Sequence, residues 1–264
     1  MTAQAAPDKA TRHTVDAFHR GRFVLVQPAR GAHRAGMDAM MLGASVPSAF
    51  AGRLADFGAG AGAAGLAVLS RCAGAKAVLV ERAPEMVAFA QATLAHPDNA
   101  PLAGRAEILQ ADVALTGTAR QAAGLADNSF DFVIMNPPFN AGADRATPDE
   151  LKRQAHVMED GLFESWLRSA AAVTRPRGGV SVIARPESLP ILLDALRGRF
   201  GNAELMAIHP REDAAAIRIV VRAVRGGRGK LVMRPPLVLH ETGSDRFRQN
   251  TDSINNGLAS LFGD

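Results

Sequence analysis

Beginning at residue 53, short apolar strands alternate with helical stretches, and this alternation constrains the fold more than any other feature of the chain. Strands joined through helices become neighbours in a parallel sheet covered on both faces. Seven strands are predicted: residues 53–58 (RLADFG), 77–81 (AVLVE), 106–111 (AEILQA), 130–136 (FDFVIMN), 179–185 (GVSVIAR), 204–209 (ELMAIH) and 216–224 (AIRIVVRAV). Helices are predicted over 84–94, with Pro84 at the first helical position, and over 162–173 and 189–200. Only the last two strands lack a helix between them. The connection over 209–215 is too short for a parallel crossover, so the final strand is expected to run antiparallel as a hairpin partner. Ahead of the sheet, residues 21–27 (GRFVLVQ) read as a strand and 37–44 as a short helix. The expected organisation is a basic N-terminal arm over 1–50 packed on the core, a main domain over 51–242, and a polar, partly mobile tail over 243–264.

With 47% apolar and 21% charged residues among 264, the chain can offset its conformational entropy, which excludes a disordered protein. The longest charge-free stretches, 39–52 and 57–70, hold 14 residues each, short of the roughly 20 that a membrane span needs. Residues 1–13 carry Asp8, Lys9 and Arg12 and no apolar stretch, so a secretory signal is not expected and a cytoplasmic, soluble location is. The single cysteine, Cys72, cannot form an internal disulfide or a cysteine-rich zinc cluster, and no metal is expected. The net charge of +4 is unevenly spread: residues 1–34 hold six Lys/Arg against two acids, and residues 218–234 hold six with no acid. Basic flanks around an acidic middle suit a phosphate-backbone partner or a solvated face. Arg20, Arg22, Arg30 and Arg34 are the candidate phosphate contacts.

The first strand runs into Asp56-Phe-Gly58-Ala-Gly60-Ala-Gly62, where glycine permits positive φ and close approach of the backbone to a ligand. Asp56 is read as an acceptor that holds this loop or meets the ligand's amino group. Glu81, at the end of the second strand, can accept from both hydroxyls of a ribose. Asp112, followed by Val113 at the end of the third, can accept from an exocyclic adenine amine or serve as a turn aspartate. NAD and S-adenosylmethionine both satisfy these tests.

The fourth strand is almost wholly apolar and ends in Asn136-Pro137-Pro138-Phe139 at the same rim. Two successive prolines make a stiff turn, which holds the Asn136 amide and the Pro137 carbonyl as fixed acceptors. A planar amine such as N6 of adenine is a poor nucleophile. Two acceptors on its N–H bonds favour a pyramidal nitrogen and stabilise the positive charge that develops as it attacks a methyl group. Phe139 offers a face on which an extruded base can stack.

The loop at Asp56–Gly62, then Glu81, Asp112 and Asn136 to Phe139, in this order on successive strands, resemble the class I S-adenosylmethionine-dependent methyltransferases and, in the last motif, their amino-nitrogen-methylating branch. Segments 33–42 (HRAGMDAMML), 207–211 (AIHPR), 215–218 (AAIR) and 234–240 (RPPLVLH) are similar to bacterial tRNA (adenine-N6)-methyltransferases that modify the adenosine 3′ of a valine-tRNA anticodon. The resemblance covers residues 20–242. It implies an α/β, Rossmann-like, seven-stranded sheet with an antiparallel last strand, S-adenosylmethionine as cofactor with S-adenosylhomocysteine as product, and RNA, most specifically tRNA, as partner. It further implies that Asn136, Pro137, Pro138 and Phe139 hold the target amine. Asp56, Gly58, Gly60, Gly62, Glu81, Asp112, Val113 and Asn136 would line the cofactor, with Asp38 near its methionyl end.

Other readings compete. Release-factor glutamine methyltransferases use an Asn-Pro-Pro motif more often ended by tyrosine, and a guanine-N2 ribosomal-RNA methyltransferase needs the same two acceptors. An RNA-binding module with an inactive core is the non-enzymatic alternative. A NAD-dependent dehydrogenase rests on Gly60-Ala-Gly62-Ala-Ala-Gly65 alone. His156, His209 and Trp166 read as surface or core residues, and residues 145–153 as a lid or a plain helix start.

Overall fold

A computed structural model describes residues 13–29, 35–138 and 148–264, and for 148–160 the backbone only. The centre is a nine-stranded sheet built from β3 (Arg53–Phe57), β4 (Lys76–Glu81), β5 (Ala106–Gln110), β6 (Phe130–Met135), β7 (Thr174–Ala184), β8 (Phe200–His209), β9 (Arg218–Arg225), β10 (Val232–Met233) and β11 (Leu237–Val238). The strand order is β10-β8-β9-β7-β6-β3-β4-β5, with β11 also on β8. The seven expected strands are all present, and β10 and β11 extend the sheet beyond them, parallel to β8. The antiparallel strand is β9, inserted between β7 and β8. Its short link from β8 leaves room only for a reversal of direction, as the connection length required.

Helices cover both faces. On one lie α1 (Met37–Ala44), α2 (Ala63–Arg71) and α3 (Pro84–Ala95), on the other α6 (Pro148–Val173) and α7 (Leu189–Leu196); α4 (Ala100–Ala103) and α5 (Gly117–Ala122) are short turns of helix before and after β5. Strand β6 shows why both sheet faces are apolar. Phe132 and Ile134 pack into the core with Met40, Leu66 and Leu79, while Val133 and Met135 pack into the opposite core with Phe163, Trp166 and Leu192. A strand with no solvated face reads as a continuous apolar run. Helix α6 starts at Pro148, so the expected helix start is present, while residues 145–147 of the suggested lid lie outside the described residues.

The arm is a hairpin of β1 (His13–Phe18) and β2 (Phe23–Pro28) laid against α3, with Asn99 and Thr93 accepting β2 amides through their side chains. Strand β1 had no sequence signal strong enough to be expected. The polar tail is also more ordered than its composition suggests. Helix α8 (Gln249–Asn255) packs on α1, Thr251, Ile254 and Leu261 are buried, the Leu261 amide donates to Ala44 O at 2.7 Å, and Asp264 pairs with Arg222 at 2.7 Å. The expectation of a partly mobile tail is therefore corrected: a few apolar side chains and one ion pair dock it. No described helix is long and apolar enough to cross a membrane.

Candidate functional site

The site is assembled at the carboxyl rim of the parallel strands. After Phe57 the chain turns through Gly58, Gly60 and Gly62 with φ of 70°, 55° and 95°, a region that side chains with a Cβ seldom adopt. A Cβ on Gly58 would also lie 2.6 Å from the Trp166 ring. The amides of Gly58 and Ala59 donate to Val80 O at 2.9 and 3.1 Å, stitching the loop to the end of β4, and α2 begins directly after Gly62.

Three acids stand behind or beside this loop, as expected, and the structure separates their work. Asp56 is 3% exposed and its Oδ2 accepts the Gly65 amide at 2.8 Å, so it holds the first turn of α2 from beneath. Burial pushes its carboxyl up to about 7; the Gly65 bond opposes the rise and the nearby Glu81 charge adds to it. Glu81 is half-buried. Its Oε2 accepts the Gly60 amide at 3.0 Å and its Oε1 the Ala83 amide at 2.8 Å, and each oxygen retains acceptor capacity for a second donor. Asp112 takes the Ala114 amide at 2.8 Å on Oδ1 and faces Arg82 at 3.3 Å on Oδ2, the geometry of a turn aspartate beside the end of β4. Val113 is buried next to it.

On the other side of the loop, β6 pairs with β3 so that Phe57 is opposite Met135, which brings Asn136 beside Gly58. The Asn136 Oδ1 is buried and has no hydrogen-bond partner among the described residues. Leaving such an acceptor unsatisfied costs about 1–3 kcal/mol, so this amide oxygen is an acceptor available to a donor from beyond the described residues. Pro137 is buried, Pro138 exposed, and Phe139 lies outside the described residues.

Helices α1 and α2 run parallel and close: a Cβ on Gly43 would come within 2.7 Å of the Ala67 methyl, and Arg71 donates to Gly43 O and Val46 O at their carboxyl ends. Their amino ends consequently meet at the rim, which places Asp38 near the glycine loop. Asp38 Oδ2 accepts from Arg218 Nε at 2.8 Å. Arg218, from the first position of β9, was not foreseen as a site residue, because its partner lies 180 positions away.

Several cations of the basic flanks have partners within the protein. Arg222 pairs with Glu204 at 2.5 Å and with Asp264, Arg234 pairs with the same Glu204, and Arg225 bonds to Asn128 and Thr174. Arg228 and Lys230 are exposed. In the arm, Arg20 forms an ion pair with Asp252 at 2.6 Å and Arg22 is exposed, whereas Arg30 and Arg34 lie outside the described residues. Of the described flank cations, Arg20, Arg218, Arg222 and Arg234 are therefore held by carboxylates that strand pairing and the docked tail bring alongside, whereas Arg22, Arg228 and Lys230 are exposed. His209 is bonded through Nδ1 to Ala214 O, Trp166 and Cys72 are buried, and the side chain of His156 is not described.

The sequence model of the methyltransferase small domain matches residues 36–210 of this chain. The chain belongs to the methyltransferase small domain family. A curated relative, the release factor glutamine methyltransferase of Deinococcus radiodurans, is 30% identical over 182 residues, which are 66% of this chain and 59% of the relative. The chain thus spans 59% of the length of the curated relative it matches. The crystal structure of a predicted O-methyltransferase from Agrobacterium tumefaciens is 43% identical with a TM-score of 0.75, covering 85% of this chain and 98% of that one. The T. thermophilus 16S rRNA N2 G1207 methyltransferase in complex with AdoMet and guanosine, 22% identical with a TM-score of 0.54 over 84% of this chain and 53% of that one, shares the fold. The small-domain site fits S-adenosylmethionine, the cofactor of methyltransferases with this fold. The positive-φ glycine loop leaves space that side chains would fill, and Glu81 stands beside it with acceptor capacity for a ribose.

Proposed function

We propose that the protein is an S-adenosylmethionine-dependent N-methyltransferase that acts on the exocyclic N6 amine of an adenosine in RNA, with tRNA, next to the anticodon of valine tRNA, as the specific substrate. The observation that carries this reading is the buried, unpartnered Oδ1 of Asn136 beside the glycine loop. S-adenosylmethionine, when bound, supplies an electrophilic sulfonium methyl group. Glu81 would hold the ribose, Asp112 and Val113 the adenine, Gly58, Gly60 and Gly62 the path of the backbone past the cofactor, and Asp38 its methionyl end. Asp56 acts from beneath by fixing the turn.

Asn136 Oδ1 and the Pro137 carbonyl accept the two N–H bonds of the substrate amine and stabilise the charge that grows on nitrogen as the new N–C bond forms. The methylated nitrogen then loses its proton to water. Asn136 cannot take up a proton, which an alcohol nucleophile has to shed during attack, so the site favours nitrogen over oxygen. Phe139 would stack on the extruded base.

A protein glutamine amide is the second reading, favoured by the Deinococcus radiodurans relative. Incubation with methyl-labelled S-adenosylmethionine and either total RNA or total protein separates the two. Label in N6-methyladenosine after nuclease digestion is expected. Label in a glutamine side chain, or in guanosine, would replace the adenine assignment.

A further inference from the structure

Strand β9 runs against its neighbours, and the reversal puts its first residue where they put their last. Parallel strands deliver their carboxyl ends to the rim that carries Glu81 and Asn136. An antiparallel strand delivers its amino end there, so Arg218, the first residue of β9, stands at the rim and Arg225 at the base. Successive side chains of a strand alternate between faces. Ile219 and Val221 belong to the core with α6 and α7, Val220 to the core with α1, and Arg218 and Arg222 share the face of Val220.

On that face β9 holds α1 at both of its ends. Arg218 Nε donates to Oδ2 of Asp38, in the first turn of the helix, at 2.8 Å, and Arg222 Nη1 donates to the carbonyl of Ser45, the residue that follows the helix, at 3.3 Å. The two spans are similar: the seven-residue step from Asp38 to Ser45 rises about 10 Å along a helix, and the four-residue step from Arg218 to Arg222 about 13 Å along a strand. Arg222 is fixed in turn by Glu204 at 2.5 Å and Asp264 at 2.7 Å. Apolar burial is non-directional, whereas a polar bond at each end sets the helix along its own axis.

Asp38 thereby has a defined place at the rim. Its side chain is 21% exposed and that of Arg218 26%, so the pair is only partly open to screening by water and salt. Arg218 Nε occupies one acceptor position of a carboxylate whose two oxygens offer about four. An ammonium group is the donor that suits the others.

We propose that Arg218 is a positioning residue that acts through Asp38, holding its carboxylate where it accepts from the α-ammonium group of S-adenosylmethionine. This role rests on the assignment of Asp38 to the methionyl end of the cofactor and is independent of what accepts the methyl group. Arg218 itself touches neither cofactor nor substrate.

The test compares two ligands of the full chain by calorimetric titration: S-adenosylhomocysteine, which carries the amino-acid end, and 5′-methylthioadenosine, in which a methyl group replaces that end. Asp38→Asn and Arg218→Met are each expected to raise the S-adenosylhomocysteine Kd on the order of 10-fold and to leave the 5′-methylthioadenosine Kd within about two-fold of the parent. Arg218→Lys, which keeps a charge without the planar fork, should recover part of the loss. Because the arginine works through the carboxylate, Asp38→Asn combined with Arg218→Met should cost no more than the larger single change. An equal loss of both ligands in Arg218→Met and Arg218→Lys would make Arg218 a support of the fold alone. An unchanged S-adenosylhomocysteine Kd in Arg218→Met, or additive losses in the double variant, would also overturn the positioning role while leaving Asp38 its assignment. If Asp38→Asn leaves the S-adenosylhomocysteine Kd unchanged, the methionyl assignment falls and the role of Arg218 falls with it.

Discussion

Gly60 donates its amide to Glu81 Oε2 at 3.0 Å, so the carboxylate proposed to hold a ribose also sets the shape of the glycine loop beside it. Its other oxygen fixes Ala83, one residue before the Pro84 that opens α3. One side chain on β4 thereby ties together the loop after β3 and the helix after β4, the two elements between which a nucleoside would lie.

Replacing this acid should weaken the cofactor more than the fold. Charge-assisted hydrogen bonds contribute about 1.5–3 kcal/mol each, so Glu81→Ala is expected to raise the S-adenosylhomocysteine Kd by at least about 10-fold in a calorimetric titration. Glu81→Gln, which retains one acceptor, should fall between. An unchanged Kd in both variants removes Glu81 from the ribose site.

Asn136 is assigned to the nucleophile and not to the cofactor, and kinetics can separate the two. Loss of one preorganised partner in a transition state costs on the order of 10²–10³ in kcat. Asn136→Ala should show that loss with S-adenosylhomocysteine affinity within about two-fold, since its Oδ1 has no partner within the described protein to release. A parallel collapse of cofactor affinity contradicts this division.

Asp56 predicts a pH dependence of stability. Burial, opposed by the Gly65 amide and assisted by Glu81, raises its carboxyl to about 7 from an ordinary value of 3.8. Between those values the folded chain binds a proton that the unfolded chain does not. The stabilisation from the neutral acid is therefore complete below the unfolded value and is lost as pH rises through about 7. Asp56→Asn cannot ionise, so its Tm relative to the parent should climb between about pH 5 and pH 8. A constant difference across that range would show that Asp56 carries no raised pKa.

Glu204 tests the internal use of the basic flank. Its carboxylate meets Arg222 and Arg234. Burial alone would push its carboxyl up, but the hydrogen bonds and charges of both arginines hold it below the usual range. The cluster is partly buried, with Arg234 exposed, so removing its carboxylate strands Arg222 more than Arg234, and Glu204→Ala should destabilise by about 1–2 kcal/mol in urea unfolding. A loss under about 0.5 kcal/mol would place these arginines in the class of solvated surface charges.

Much of the fold was legible because its signals are local. The apolar run of β6, its Asn-Pro-Pro ending, the glycines after β3 and the short link before β9 each act within a few residues. Contacts between distant parts of the chain were not legible. Arg218 reads as a surface cation until β9 is seen inserted beside β7 and Asp38 arrives on α1, and Arg222 and Arg234 converge on Glu204 only through the pairing of β8 with β9 on one side and with β10 on the other. The tail misled because Ile254 and Leu261 are isolated apolar residues in a polar segment, and their burial depends on α1. Among candidate site residues, Asp56, Glu81 and Asn136 announce themselves by position at strand ends, whereas Arg218 beside Asp38 is visible only once the strand order is known.

The most direct measurement is a crystal structure of the protein with S-adenosylhomocysteine and adenosine monophosphate. The adenine N6 should lie within about 3 Å of both Asn136 Oδ1 and the Pro137 carbonyl, with the cofactor sulfur facing it across the gap where the methyl group would sit. An adenine bound elsewhere, or a sulfur on the β8 side of the sheet away from Asn136, would contradict the assignment of Asn136 as the residue that draws on the substrate amine.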